Sequence, residues 1–219
     1  LQKRVLILTA LKMEAAAIAR QFKLRAPRGS ERVELLARRF PSDLYVIGIG
    51  AIRMPDLSGR PIAGIMMAGL AGGLDPSLAK AEIVVDQEST WKMSRIPHRR
   101  ARFHTAERVI CRAKDKAQLF AETGAAVVEM EGEKVRRSAG QYSLPYLGIR
   151  AISDCADESI DPKILKFIDP FGNPRIGDVI GEFFKHPSIV GRLRQLSKAS
   201  GEALEKLAVA VKQIIDPPE

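Results

Sequence analysis

The sequence predicts an α/β fold of three layers, a mixed central β-sheet flanked by helices, ending in a long C-terminal helix. Three observations carry this. Short runs of apolar and β-branched residues alternate with stretches of helical periodicity. The runs are apolar at nearly every position, as in strands covered on both faces. The last part of the chain repeats apolar residues at three- and four-residue steps. The 219 residues suit a single domain, with a core over 4–160 and a helical extension over 161–219. A hydrophobic fraction of 46% suffices for a buried core and excludes a disordered chain.

The elements follow in order. "VLILTA" (5–10) reads as the first strand. "LKMEAAAIARQF" (11–22) is helical, with Leu11, Ala15, Ile18 and Phe22 on one face. "LYVIGIG" (44–50) and "IAGIMMAG" (62–69) are strands, and "AEIVVD" (81–86) is another, entered through the turn signal "GGLDPS". The stretch 87–107 lacks periodicity and reads as a loop. "RVICRA" (108–113) and "AAVVEM" (125–130) read as strands separated by a short helix at 114–122. "EGEKVRRSAGQY" (131–142) is a helix ended by Leu144 and Pro145, and "YLGIRAIS" (146–153) is a strand. "DPFGNP" (169–174) is a loop. Ile189, Leu193, Leu196, Ala203, Leu207, Val211 and Ile214 then mark one long amphipathic helix, or two broken near Gly201.

Composition removes several functions. No apolar run approaches the ~20 residues that cross a bilayer. "LQKRVLILTA" is too short an apolar run for a secretion signal and passes directly into a helix, so a soluble, cytoplasmic protein is expected. Two cysteines, Cys111 and Cys155, make no disulfide framework. His98, His104 and His186 are scattered without ligand spacing, so no metal is expected. The net charge of +9 concentrates in "RIPHRRARFHTAER" (95–108) and at Lys185, Arg192, Arg194 and Lys198. Neither region interleaves aromatics as a base-stacking surface does, so a solvated basic face or an attraction to phosphate groups is the better reading, and no nucleic-acid partner is expected.

Ligands of open α/β sheets bind beyond the carboxyl ends of strands. Four such ends carry candidate chemistry. The first places Glu14 in the first turn of a helix; the strand at 62–69 runs into "AGLAGG", whose glycines admit close backbone approach. The strand at 125–130 ends in "EME", and that at 146–153 presents Ser153 and Asp154. Each has a plain structural reading: Glu14 at a helix N-terminus, the glycines in a tight turn, Ser153 and Asp154 as a helix cap. Together they bring three acidic groups to one edge of the sheet.

"AVVEMEG", followed after a helix by "LPYLGIRAISDCADE", resembles the nucleoside phosphorylase and nucleosidase superfamily, in particular the branch containing methylthioadenosine/S-adenosylhomocysteine nucleosidase. "ALKME" and "AGLAGGLDPSLAKAEIVV" are similar to that family's segments after its first strand and around its glycines, so the resemblance spans roughly 4–160. The tail, with "DPFGNPRIGDVIGEFFKHPSIVGRL", is similar to hopanoid-associated relatives that remove adenine from an adenosylated lipid.

The resemblance implies a nucleoside phosphorylase-like fold and cleavage of the N-glycosidic bond of a purine nucleoside, without a cofactor. It assigns Asp154 to deliver a proton to the leaving base, which requires a carboxyl kept protonated by burial. It assigns Glu14 to activate water, Glu131 to bind the ribose hydroxyls and Met130 to pack against the sugar. Ser153 would steady Asp154; Gly69, Gly72 and Arg150 complete the expected substrate-binding set. Glu129 is taken as structural. A homodimer or higher homo-oligomer is implied, and peripheral membrane association if the substrate is a lipid.

The sequence also departs from the family. Met67 and Leu70 stand where phosphorylases place polar phosphate contacts, which favours water as nucleophile, although Arg53 or the basic segment 95–108 could supply phosphate contacts. "PDLSGRPIAGIM" replaces a full helix. The aromatic residue that stacks on the base has no fixed counterpart, and Trp91, Phe103 and Phe120 are the candidates. Open alternatives are a phosphorylase acting on an adenosyl substrate such as adenosylhopane, a catalytically silent relative, and a non-catalytic basic binding module.

Overall fold

Alternate residues of β1 (Arg4–Thr9) face opposite cores. Val5 and Ile7 point one way, Leu6 and Leu8 the other, and all four are buried. That two-sided burial, legible in "VLIL", makes β1 an interior strand of a sheet with helices on both faces. The computed structural model describes residues 2–25, 32–37, 39–91, 97–162, 169–172 and 188–217, with side chains over 188–199 excluded.

The chain continues through α1 (Lys12–Gln21), β2 (Val33–Leu35), β3 (Ser42–Val46), β4 (Ile62–Gly73), β5 (Ile83–Asp86), β6 (Arg99–Ala101) and β7 (Phe103–Thr105). Then come α2 (Ala113–Thr123), β8 (Val127–Glu129), α3 (Gly132–Gln141), β9 (Tyr146–Asp154) and α4 (Ser188–Ile215). The described strands form one mixed sheet in the order β2-β3-β1-β4-β9-β5-β6, with β8 joined to β4 and β7 to β8. On one face, α1 and α4 cover Ile7, Met66, Ala68 and Ile149. On the other, Val135 and Ala139 of α3 cover Leu6, Leu8, Ile65 and Met67. This is the three-layer arrangement the sequence implies. No described helix is long and apolar enough to cross a membrane.

Four elements differ from the sequence reading. Residues 108–113 form no strand; Val109 and Ile110 lie in a connection without regular structure, and Ala113 already starts α2. Residues 87–107 contain β6 and β7, strands of three residues that are too short to show a period of two. The strand read at 44–50 spans Ser42–Val46, because Gly48 and Gly50 turn the chain at φ of 78° and 70°. The strand read at 62–69 runs on through all its glycines to Gly73, since β9 pairs along one edge and β8 pairs Gly72 and Gly73 on the other. Helix α4 is continuous through Gly201. Residues 173–187, with Lys185 and His186, and the side chains of Arg192, Arg194 and Lys198 lie outside the described set.

Leu207 and Val211 of α4 are fully buried in the shared core with α1. Each contributes about 1.5–3 kcal/mol by leaving water. Leu207→Ala is therefore expected to lower stability by about 2–5 kcal/mol in denaturant unfolding. The half-exposed Val209 on the same helix, changed to Ala, is expected to shift it by less than about 0.5 kcal/mol.

Candidate active site

The site follows from a gap in the pairing of β4. One edge of β4 is paired with β9 from Ile65 to Gly72. The other edge is shared: β1 pairs in parallel up to Leu8 opposite Met67, and β8 pairs antiparallel from Val128 opposite Gly72. Because β1 and β8 run in opposite directions along one edge, their carboxyl ends point toward each other. Between them β4 leaves residues 68–71 without a strand on that side. A cleft opens over the gap, lined by Leu11, Glu14, Leu70, Gly72, Met130, Glu131, Ser153 and Asp154 among others.

Glu14 closes the gap from α1. Its carboxylate accepts the Leu70 N–H of β4 at 2.8 Å and the Leu11 N–H at its own helix start, also at 2.8 Å. The plain reading of a helix-start carboxylate is thus correct and incomplete. Burial pushes the Glu14 carboxyl up to about 7, with the nearby Glu131 adding to the rise and the Leu70 and Leu11 amides and Arg150 opposing it. Gly69 makes this possible: a Cβ there would lie 2.9 Å from Glu14 Oε1.

At the end of β8 the two glutamates of "EME" have different surroundings. Glu129 accepts Arg150 Nη2 at 2.6 Å, the Thr105 hydroxyl at 2.5 Å, and the N–H groups of Glu131 and Gly132 at 2.9 and 2.6 Å. Burial alone would raise its carboxyl, but Arg150 and these donors outweigh it and hold the group below the ordinary range. Both carboxylate oxygens are engaged, so Glu129 fastens the end of β8 to β9 and to the start of α3, the structural role expected for it. Glu131 keeps one oxygen on the Gly50 N–H at 2.9 Å and the other 3.9 Å from Arg150 Nη2. Burial raises its carboxyl, Arg150 opposes and Glu129 reinforces the rise. Met130, half-buried, lies between them on the cleft wall.

The end of β9 carries Asp154, which is no helix cap, since a turn follows it. The Ser153 hydroxyl lies 2.6 Å from Asp154 Oδ1 and 3.1 Å from the Ala71 carbonyl. The other oxygen, Oδ2, meets the Lys116 ammonium of α2 at 2.5 Å. Lys116 is completely buried, and its two remaining donor directions go to the carbonyls of Cys155 at 2.7 Å and Glu158 at 3.0 Å. Asp154 therefore faces a buried cation as well as an apolar wall, and burial is only part of its environment.

Of the expected residues, Glu14, Met130, Glu131, Gly72, Ser153 and Asp154 line one cleft. Gly69 and Arg150 do not. Gly69 lies under Glu14, and Arg150, 1% exposed, lies behind the carboxylates, donating also to the Met67 carbonyl at 2.8 Å. No aromatic residue lines the cleft among those described. Trp91 packs edge-on against Phe40 with ring centroids 5.7 Å apart, while Phe103 and Phe120 belong to core clusters. The wall they were expected to provide is aliphatic, with Val109, Ile110 and Ile160. Lys116 was missed, as was Arg108, an exposed cation at the same wall. Arg53 stacks over the Phe171 ring at 5.2 Å. The basic segment is tied back to the protein: Arg99 pairs with Glu82 at 3.0 Å, and Arg100 and Arg102 donate to carbonyls. Among the described residues no three His, Cys, Asp or Glu side chains could hold a metal ion.

The model of the Phosphorylase superfamily matches residues 86–172, the part that carries β8, β9 and their site residues. No sequence among the curated proteins matches the chain. Solved structures share its fold along nearly its whole length. A variant of the Helicobacter pylori 5′-methylthioadenosine/S-adenosylhomocysteine nucleosidase, with 5′-methylthioadenosine in its active site, is 17% identical with a TM-score of 0.66, covering 98% of this chain and 99% of its own. The futalosine hydrolase of Helicobacter pylori is 15% identical with a TM-score of 0.64, covering 97% of both chains. A protein described as a 5′-methylthioadenosine/S-adenosylhomocysteine nucleosidase of Francisella philomiragia is 16% identical with a TM-score of 0.58, covering 98% of this chain and 99% of its own. The chain thus resembles the nucleoside phosphorylase and nucleosidase superfamily in fold and, over 86–172, in sequence.

The raised Glu14 carboxyl has a measurable consequence for stability. The folded protein binds the proton up to about pH 7, the unfolded chain only to about 4.5, so this group's contribution falls as pH rises between those values. Glu14→Gln removes the fall. Relative to wild type, the variant is expected to gain up to about 3 kcal/mol between pH 4 and pH 8 in denaturant unfolding. A constant difference across that range would contradict the buried, proton-binding state.

Proposed function

We propose that the chain hydrolyses the N-glycosidic bond of an adenosine-type nucleoside and releases adenine. The observation that carries the reading is the convergence of Glu14, Glu131 and Asp154, from three separate elements, on one cleft at the carboxyl ends of β1, β8 and β9. Cleavage of such a bond passes through an oxocarbenium-like state and needs three services: a base for water, a clamp on the sugar and a proton for the leaving ring. Glu14, with its carboxyl near neutrality, can take a proton from water at physiological pH. Glu131 accepts hydrogen bonds from the ribose hydroxyls, and its negative charge faces the cation that develops at the sugar. Met130 forms the apolar floor beneath the ring. Asp154 stands at the base end of the cleft, against the aliphatic wall of Val109 and Ile110.

Water is favoured over phosphate as nucleophile. Met67 is buried in the core below the sheet, and Leu70 offers the gap only an amide, which Glu14 already occupies. The nucleoside held by the Helicobacter pylori relative supports an adenosine-type substrate.

The test is adenine release from adenosine, methylthioadenosine and adenosylhomocysteine, with and without phosphate, read by chromatography. Free sugar is expected at a rate indifferent to phosphate. Glu14→Gln and Glu131→Gln are each expected to lower the rate by on the order of 10²–10⁴-fold. Release that requires phosphate and yields a sugar 1-phosphate would assign the phosphorylase reaction instead. No release from any member of the panel would overturn the reading.

A further inference from the structure

We propose that Lys116 is the proton source behind Asp154, handing its ammonium proton through that carboxylate to the departing base. The inference rests on the reading of the cleft as an N-ribosyl hydrolase site and names a residue which that reading does not use.

A departing purine leaves with the electron pair of the broken bond and needs a proton on its ring. Asp154 is the carboxyl at that end of the cleft, yet it meets a cation. Lys116 Nζ lies 2.5 Å from Oδ2, and the ammonium has no contact with water. A lysine buried completely inside an α/β core is costly unless each of its protons is accepted. Here each is, by Asp154, by the Cys155 carbonyl and by the Glu158 carbonyl. That set of partners has a property beyond satisfaction. If one proton crosses to Oδ2, the amine still donates to both carbonyls, and its lone pair accepts the new carboxyl O–H. No hydrogen bond is lost, and two buried charges disappear. The pair can therefore exist as ammonium with carboxylate or as amine with carboxylic acid in the same geometry.

The steps balance. At rest the pair is Lys116 ammonium and Asp154 carboxylate. The proton moves to Asp154. The C1′–N9 bond breaks, its electrons stay with the purine, and the Asp154 O–H turns from the Lys116 amine to the ring and gives up its proton there. Water bonds to C1′ and gives its proton to Glu14. The site is left with a neutral amine, a carboxylate and a protonated Glu14; the amine regains a proton by way of Asp154, which lines the cleft, and Glu14 loses one to solvent.

The surroundings support a role in positioning and supply rather than in packing alone. Besides Asp154, Glu158 and Cys111 are within electrostatic reach of the ammonium, Cys155 accepts from it through its carbonyl, and Asp115 and Arg112 act on Cys111. Glu158 is engaged by Lys80 at 2.6 Å and by the Cys155 N–H at 2.8 Å, and Asp115 by Arg112 at 3.0 Å. Burial raises both thiols, which keeps them neutral. Asp154 is thus the one carboxylate to which the ammonium donates directly among the described residues.

Two substrates and two variants test this in the 219-residue chain. Adenosine needs a protonated leaving group; 4-nitrophenyl β-D-ribofuranoside does not, because nitrophenolate leaves readily as the anion. Lys116→Met is expected to lower kcat on adenosine by on the order of 10²-fold or more while changing that on the nitrophenyl riboside by less than about threefold. Lys116→Arg keeps a cation beside Asp154 but cannot release its proton, so it is expected to share the selective loss on adenosine. Equal losses on both substrates, or recovery of adenosine cleavage by Lys116→Arg, would overturn the relay and leave Lys116 as a structural or electrostatic support. If wild type cleaves the nitrophenyl riboside and not adenosine or another purine nucleoside, the relay and the assignment of a purine fall while ribosidase chemistry stands. If wild type cleaves neither, the hydrolase reading itself fails and the relay with it.

Discussion

One buried guanidinium serves three buried carboxylates. Arg150 lies 1% exposed within the electrostatic reach of Glu14, Glu129 and Glu131, and a single positive charge cannot offset burial equally at all three in a medium of low polarity. The geometry divides the three unequally. Glu129 takes the direct 2.6 Å contact and three further donors, and is held as a carboxylate. Glu131 receives only the distant 3.9 Å approach, and Glu14 none closer, so burial dominates at both and raises them. The carboxylate held low and the two raised ones are thus separated by how far each stands from one arginine. Like groups in unlike environments are what acid–base chemistry at neutral pH requires.

The sheet topology supplies the place. Opposed strands on one edge of β4 bring two carboxyl ends together, which a uniformly parallel sheet could not do. Glycine supplies the room. Gly69 admits Glu14, Gly72 stands 3.3 Å from Asp154 Oδ2 by its missing Cβ, and Gly132 clears Glu129, where a Cβ would fall 2.9 Å from Oε1. These glycines are extended or helical in backbone. Close packing against carboxylates, and not turn geometry, is the reason for them. The "GLAGG" run is therefore a strand whose lack of side chains lets acids approach it.

Much of this was legible in the chain. Continuous apolar runs gave the interior strands, and acidic residues directly after them identified the ends that meet at the cleft. The rest depended on contacts that sequence spacing does not encode. Residues 108–113 carry β-branched residues because they line a cleft wall, and the same preference mimics a strand. Lys116 sits in "AKDKAQLFAET", one of several charges in a short helix. Its position three and four residues before Leu119 and Phe120, which pack into the core beside β8, places it on the buried face and was the available signal. Its partner, 38 residues away, was not. The division of roles between Glu129 and Glu131 depends likewise on Arg150, reached only when β8 and β9 are folded against β4.

The central claim is that the cleft seats a nucleoside with its ribose on Glu131 and its base against Asp154. A crystal structure of Asp154→Asn soaked with adenosine tests it most directly. The account predicts both ribose hydroxyls within hydrogen-bond distance of Glu131, the sugar over Met130, and the imidazole edge of the purine at position 154. Density for the nucleoside elsewhere on the protein, or an empty cleft at saturating adenosine, would contradict it.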